Sequence, residues 1–205
     1  MITLYLMRHG QSEFNKAQIM QGSTNSNLSE DGIQQAIDAR ELINTLNFHN
    51  VYTGSLTRQI DTARIACKEK KNITFRLNEG FNEVNFGGFE KKPIAFLVET
   101  IAKGSNIDNP ANVQVTCELV ANSCAKFDPE QRAEDYKTAA ARVRKAVYEV
   151  IERCSENEKV LIVSSGMILE ILLREFVPDL GVTNIGNCKV FALHYDDGKF
   201  YGETL

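Results

Sequence analysis

Residues 2–7, ITLYLM, are apolar at nearly every position and run straight into Arg8-His9-Gly10. A strand with one face in water alternates apolar and polar side chains; a strand covered on both faces does not. This stretch therefore belongs inside a parallel sheet with helices on both sides. Residues 160–163, VLIV, have the same character and run through Ser164-Ser165-Gly166 into a helical segment at 167–176. Two such strands, each ending in a polar turn, restrict the chain to an α/β class. They also say where a ligand belongs, because open α/β sheets bind ligands beyond the carboxyl ends of their strands.

The remaining segments fit that frame. Ser29 can cap a helix with Glu30 and Asp31 in its first turn and an apolar stripe of Ile33, Ala36, Ile37, Ile43 and Leu46. A short strand follows at 51–53. Gly54 turns the chain, and Ser55 can cap a helix reaching about Lys70. A third strand is expected near 73–77. Residues 78–129 are less regular: an amphipathic segment at 94–102, a polar loop at 105–112 with Pro110, and a short helix around 117–126. Phe81, Phe86, Phe89, Phe96, Leu97 and Leu119 give this stretch too much apolar content for disorder. It is expected to be an insert, at about 85–132, covering the active-site end of the sheet. The longest helix is expected at 133–154, where Ala140, Val143, Val147, Val150, Ile151 and Cys154 share a face. Strands at 189–195 and 199–203 flank an Asp197-Gly198 turn and read as a hairpin. The expected architecture is a three-layer α/β/α sandwich, its central sheet mostly parallel with an antiparallel edge strand, in one domain over residues 1–205.

Charge and cysteine usage exclude several roles. The net charge is −4, whereas a nucleic-acid binder carries a basic face; the densest cationic stretch, KEKKN at 68–72, is short and reads as a solvated helix end. No apolar run approaches the roughly 20 residues of a membrane helix. The start has no basic leader or cleavage site, so it reads as a strand. Five cysteines, with no C-x-x-C, read as reduced thiols in a cytoplasmic protein. Three histidines without paired spacing offer no metal-ligand pattern, so chemistry without metal or cofactor is expected. His49 and His194 read as structural residues.

The rim of the sheet gathers an unusual set of groups. The first strand ends in Arg8 and His9. Arg58 lies one turn into the helix after the second strand. The last central strand ends at Ser165-Gly166, a helix start where free backbone N–H groups favour an anion. Within an acidic protein, this cluster calls for a small, multiply charged anion such as phosphate.

Four ordered blocks add a resemblance. LYLMRHGQSEFN at 4–15, with MQGSTNSNLSEDGIQQA after it, VYTGSLTRQIDTA around Arg58, NEVNFGGFE around Glu83, and VLIVSSGM around Ser165 together resemble the histidine phosphatase superfamily, which includes the cofactor-dependent phosphoglycerate mutases. The resemblance runs in order across nearly the whole chain, and only the insert is weakly covered. It implies a phosphoglycerate mutase-like fold and a phosphatase in which His9 attacks phosphorus and becomes phosphohistidine. Arg8 and Arg58 would grip phosphoryl oxygens, and nearby positive charge would keep His9 neutral. Asn15, Ser165 and Gly166 would add phosphate contacts, and Gln21 and Gly22 would border the substrate. Glu83 would protonate the leaving oxygen and then activate water. Glu79 and Glu90 lie close enough to leave that assignment open, although the Glu83 context fits the family's acidic block best.

One position departs. The family carries a second histidine where this chain has Ser165, and loss of one transition-state donor costs on the order of 10²–10³ in rate. Turnover is therefore expected to be weakened, and replacing Ser165 by histidine is expected to raise it. Gly54, where the family more often has serine, is a smaller departure. A pseudo-phosphatase that binds a phosphorylated ligand without turnover is the rival, with a phosphoglycerate mutase behind it. A serine hydrolase built on Ser165 is disfavoured, because Val163 stands where G-x-S-x-G needs its first glycine. The expected partner is a small phosphorylated metabolite or inorganic phosphate. The NEVNFGGFE block resembles the phosphatase branch more than the mutase branch. Lys91 and Lys92 could meet an anionic substrate, and the substrate itself and the oligomeric state are not readable.

Overall fold

The protein is described by a computed structural model in which residues 1–104, 108–109, 111 and 115–205 are described. The polar loop expected at 105–112 falls mostly outside the described residues.

Six strands form one sheet in the order β3-β2-β4-β1-β5-β6. They are β1 (Ile2–Arg8), β2 (Asn50–Thr53), β3 (Thr74–Leu77), β4 (Lys159–Ser164), β5 (Val190–Asp196) and β6 (Lys199–Thr204). The first four run parallel, whereas β5 pairs antiparallel with β1 and β6 antiparallel with β5. Alternate residues of the central strands enter two cores. Leu4, Leu6, Val160 and Ile162 face one layer, and Tyr5, Met7, Leu161 and Val163 face the other. The second layer comprises α2 (Glu30–Asp38), α3 (Arg40–Thr45) and α4 (Thr57–Ala66), and the first comprises α5 (Ile94–Gly104), α6 (Cys117–Phe127), α7 (Tyr136–Arg153) and α8 (Gly166–Phe176). This is the expected three-layer sandwich. With both faces apolar, slippage would not expose hydrophobic surface. The polar ends hold the register instead, since moving Arg8 into the core would strand a charge.

A short helix, α1 (Glu13–Lys16), begins the polar loop that leads to α2. Two glycines let this loop lie against α2: a Cβ on Gly10 would come within 2.4 Å of the Gly32 carbonyl oxygen, and one on Gly32 within 1.9 Å of the Gln11 carbonyl oxygen.

Several boundaries differ from expectation. The helix capped by Ser29 divides at Ala39 into α2 and α3, and Ile33 is 42% exposed instead of joining the stripe. Ser55 does not cap α4. Its N–H donates to Asn82 Oδ1 at 2.7 Å and its hydroxyl bonds the Asn82 amide, so it ties down the loop carrying Glu83. Leu56 stands at the N-cap without a side-chain bond, and α4 ends at Ala66, short of Lys70. The longest helix starts at Tyr136, three residues late, where the Asp135 carboxylate accepts from Thr138 N at 2.7 Å. Ala133 and Glu134 are drawn away, Ala133 N donating to the Asp128 carboxylate at 2.9 Å and Glu134 N to Asn85 O at 2.8 Å. Strand β3 is exposed along its length because it is a sheet edge. The hairpin turn at Asp197-Gly198 has positive φ at both residues, the geometry its sequence favours. Among the described residues, no helix is long and apolar enough to cross a membrane.

Candidate active site

The parallel register brings the ends of β1, β2 and β4 to one rim: Arg8 stands opposite Ser164, and Thr53 opposite Val163. The chain beyond β1 is then fixed from every side. His9 N donates to Ser164 O at 2.9 Å, Asn187 Nδ2 donates to His9 O at 2.9 Å, and Gly10 N donates to Thr62 Oγ1 at 2.9 Å.

His9 is 2% exposed, with a specified tautomer. Its Nδ1 lies 2.6 Å from the Gly10 carbonyl oxygen, an acceptor, so Nδ1 carries the proton. Nε2 is thereby left with its lone pair, which accepts from Arg58 Nε at 3.2 Å. Burial, then the Arg58 and Arg8 charges, hold the imidazole pKa well below its ordinary value. The result is a neutral imidazole beside two guanidinium groups, which is the state a nitrogen nucleophile needs.

Arg58 is 1% exposed and held as a strut. Its Nη1 donates to Thr24 O at 3.0 Å and its Nη2 to Gly22 O at 2.7 Å. Gln21, with its amide turned so that both ends are satisfied, donates to Ser12 Oγ at 2.6 Å and accepts from Arg58 Nη1 at 3.2 Å. Glu90 holds the same loop from outside, accepting from Ser23 N at 2.8 Å, Thr24 N at 2.7 Å and Phe86 N at 3.1 Å. Gly22 has φ +50°, and a Cβ there would strike the Glu90 carboxylate at 2.2 Å. Burial lowers the Arg58 pKa to about 10, against the opposing charges of Glu83 and Glu90, so the group stays cationic at neutral pH.

Arg8 faces open space. It lines a cavity of about 490 Å³ together with Glu83, Gly166, Met167, residues 115–117 and 120, Glu170 and the 183–185 loop. One terminal nitrogen donates to Ile185 O, whereas the buried Nε has no partner among the described residues. His9 and Arg58 do not line this cavity.

The remaining expected contacts resolve differently. Asn15 Oδ1 accepts from Ser12 N at 3.2 Å and Asn15 N donates to Ser12 Oγ at 3.1 Å, so this residue closes a capping box on α1. Gln21 and Gly22 brace Arg58 and do not line the large cavity. The N-terminus of α8 is not free. Its Met167 and Ile168 N–H groups donate to the Glu83 carboxylate at 3.2 and 3.1 Å, because a carboxylate is itself a favourable occupant of a helix start. Ser165 is fully enclosed, and its Oγ accepts from Gln59 Nε2 at 2.9 Å. Gln59, also fully enclosed, was not legible as a site residue. Its other bond goes to Phe81 O at 2.9 Å, and its Oε1 has no partner among the described residues. Lys91 and Lys92 border a separate cavity of about 450 Å³ that shares no lining residue with the first.

Comparison with known proteins gives the context. A sequence model of the histidine phosphatase superfamily (branch 1) matches residues 4–205. A 2,3-bisphosphoglycerate-dependent phosphoglycerate mutase of Streptococcus mutans is 38% identical over 144 residues, which is 68% of this chain and 60% of that protein. The chain thus spans less than two thirds of this curated relative. A solved phosphoglycerate mutase from Bacillus anthracis aligns at a TM-score of 0.93 with 23% identity, over 100% of this chain and 92% of that one. A mycobacterial glucosyl-3-phosphoglycerate phosphatase aligns at a TM-score of 0.79 with 21% identity, over 98% and 97% of the two chains. At those identities the two structures share the fold.

Proposed function

The chain belongs to the histidine phosphatase superfamily, and we propose that it hydrolyses small phosphomonoesters through a phosphohistidine on His9. One observation carries this reading: His9 holds an unprotonated Nε2 toward a guanidinium, with its other nitrogen locked on a carbonyl. A phosphoryl group entering from this cavity would meet the Arg8 guanidinium first. Arg58 would then hand its Nε–H from the imidazole lone pair to a phosphoryl oxygen. This step frees Nε2 to attack phosphorus in line with the leaving oxygen. The new P–N bond replaces the P–O bond, and the leaving alkoxide takes a proton from Glu83, a carboxylate in the free protein that takes up the proton of the phosphomonoester monoanion as the ester binds. Glu83, now a carboxylate, accepts a proton from water as that water attacks phosphorus, and inorganic phosphate leaves as Nε2 is restored. Asn15, Ser165 and Gly166 support this centre from outside the reacting atoms.

The second reading is a phosphate-binding protein without turnover. It draws support from Ser165, which has no imidazole to offer and is tied to Gln59, and from the Glu83 carboxylate already seated on α8. Phosphate release from p-nitrophenyl phosphate separates the two. Catalytic release that disappears in His9→Ala supports the hydrolase, and ligand binding without release supports the binder.

A further inference from the structure

The large cavity carries information about the other half of the substrate. Its volume, about 490 Å³, suits a small organic molecule. Among the described residues of its lining, Arg8 is the one cationic side chain, and it stands at the Gly166 end beside the rim of the sheet. Two carboxylates, Glu83 and Glu170, also line it. The rest is Val115, Thr116, Cys117 and Val120 from the insert, Met167, and the 183–185 loop. Burial, followed by Glu170, pushes the Cys117 thiol up to about 12, so this wall is uncharged.

Among the described residues, the other cations near this region do not line it. Arg174 donates to Cys117 Sγ at 3.8 Å and pairs with Glu118 at 3.7 Å, and it borders a neighbouring cavity. Lys91, Lys92 and Arg132 border the other large cavity. With Arg8 and Arg58 assigned to the phosphoryl group, no positive side chain remains among the described lining residues to receive a second anion. A carboxylate or second phosphate on the alcohol would instead meet Glu170.

We propose that the alcohol released by this enzyme is uncharged or cationic with an apolar face, and that hydroxy-acid phosphates such as phosphoglycerate are excluded by Glu170. This inference rests on the proposed phosphatase activity. It separates the chain from its mutase relatives by charge at the leaving-group end, since a mutase acting on phosphoglycerate must hold a carboxylate there.

The test compares p-nitrophenyl phosphate, phosphocholine and 3-phosphoglycerate as substrates of the wild-type chain and of Glu170→Lys. The wild type is expected to prefer the first two over 3-phosphoglycerate by about 30-fold in kcat/KM, the size of one uncompensated like-charge contact in a partly buried site. Glu170→Lys is expected to shrink that preference by about tenfold or more. A wild type that favours 3-phosphoglycerate, or a folded Glu170→Lys chain with an unchanged preference, overturns the inference. Absence of phosphate release from every ester defeats the phosphatase reading separately. In that case calorimetric affinities of the wild type for the same three esters decide: weakest binding of 3-phosphoglycerate supports the inference, and tightest binding overturns it.

Discussion

Strands β1 and β4 lie side by side at the centre of the sheet, paired from Thr3 and Lys159 to Arg8 and Ser164. Both are sealed on two faces and both deliver their last residues to the same rim. Beyond that point they differ in kind. The end of β1 presents an imidazole with a fixed tautomer between two guanidinium groups. The end of β4 presents a neutral hydroxyl, sealed from solvent and bonded to an amide. The backbone supplies equivalent positions, and the side chains make one of them reactive and the other a filled space.

The sharpest way to break this contrast is to delete each end. His9→Ala is expected to lower p-nitrophenyl phosphate turnover by about 10⁴–10⁶, the scale seen when a nucleophile is removed. Ser165→Ala, by comparison, should cost less than about tenfold, since a neutral hydroxyl is a weak transition-state donor. Equal losses would mean that β4 takes part as fully as β1.

Arg58→Lys comes next. It keeps a charge but loses the planar fork that reaches His9, Thr24 and Gly22 together. A fall of about 10²–10³ in kcat is expected, with little change in far-UV circular dichroism.

The third prediction concerns the filled space. Replacing Ser165 by histidine alone puts an imidazole against the enclosed Gln59, and overpacking of this kind costs about 1–3 kcal/mol. The simple gain expected from sequence is therefore modified by the structure. Ser165→His combined with Gln59→Ala is expected to raise turnover by about 10²-fold. The single variant should gain far less and melt lower. Equal rates in the two variants would remove Gln59 from the account.

The smallest effect is on pH dependence. Burial and two cations hold the folded pKa of His9 well below 6.5. Between that folded value and 6.5 the unfolded chain binds the proton and the folded chain does not. Stability is then complete above pH 6.5 and declines as pH falls below it, by at most about 1.4 kcal/mol per pH unit from this group. Chemical denaturation from pH 7 to 5 should show a flatter profile in His9→Gln. For the same reason, the acid limb of kcat/KM should lie well below pH 6.5.

The parts of the molecule that were legible share a cause. Strands β1 and β4, the hairpin turn, and the Arg8-His9 and Arg58 positions are written in short runs whose chemistry is local. Gln59 reads as an ordinary polar residue on a helix, and only the packing of α4 against the end of β4 encloses it. Glu90 stood only as an alternative to Glu83 until its partners at Ser23, Thr24 and Phe86 came together. Ser55 failed as a cap because the Asn82 amide, 27 residues away, donates to its hydroxyl. Each miss involves a polar group whose choice among partners depends on distant chain.

The most direct test of the account is a rapid-quench experiment with a ³²P-labelled aryl phosphomonoester. The account expects acid-labile, alkali-stable label on the peptide containing His9, formed no more slowly than steady-state turnover and absent from His9→Ala. Turnover that persists in His9→Ala, or label on a different side chain, would contradict it.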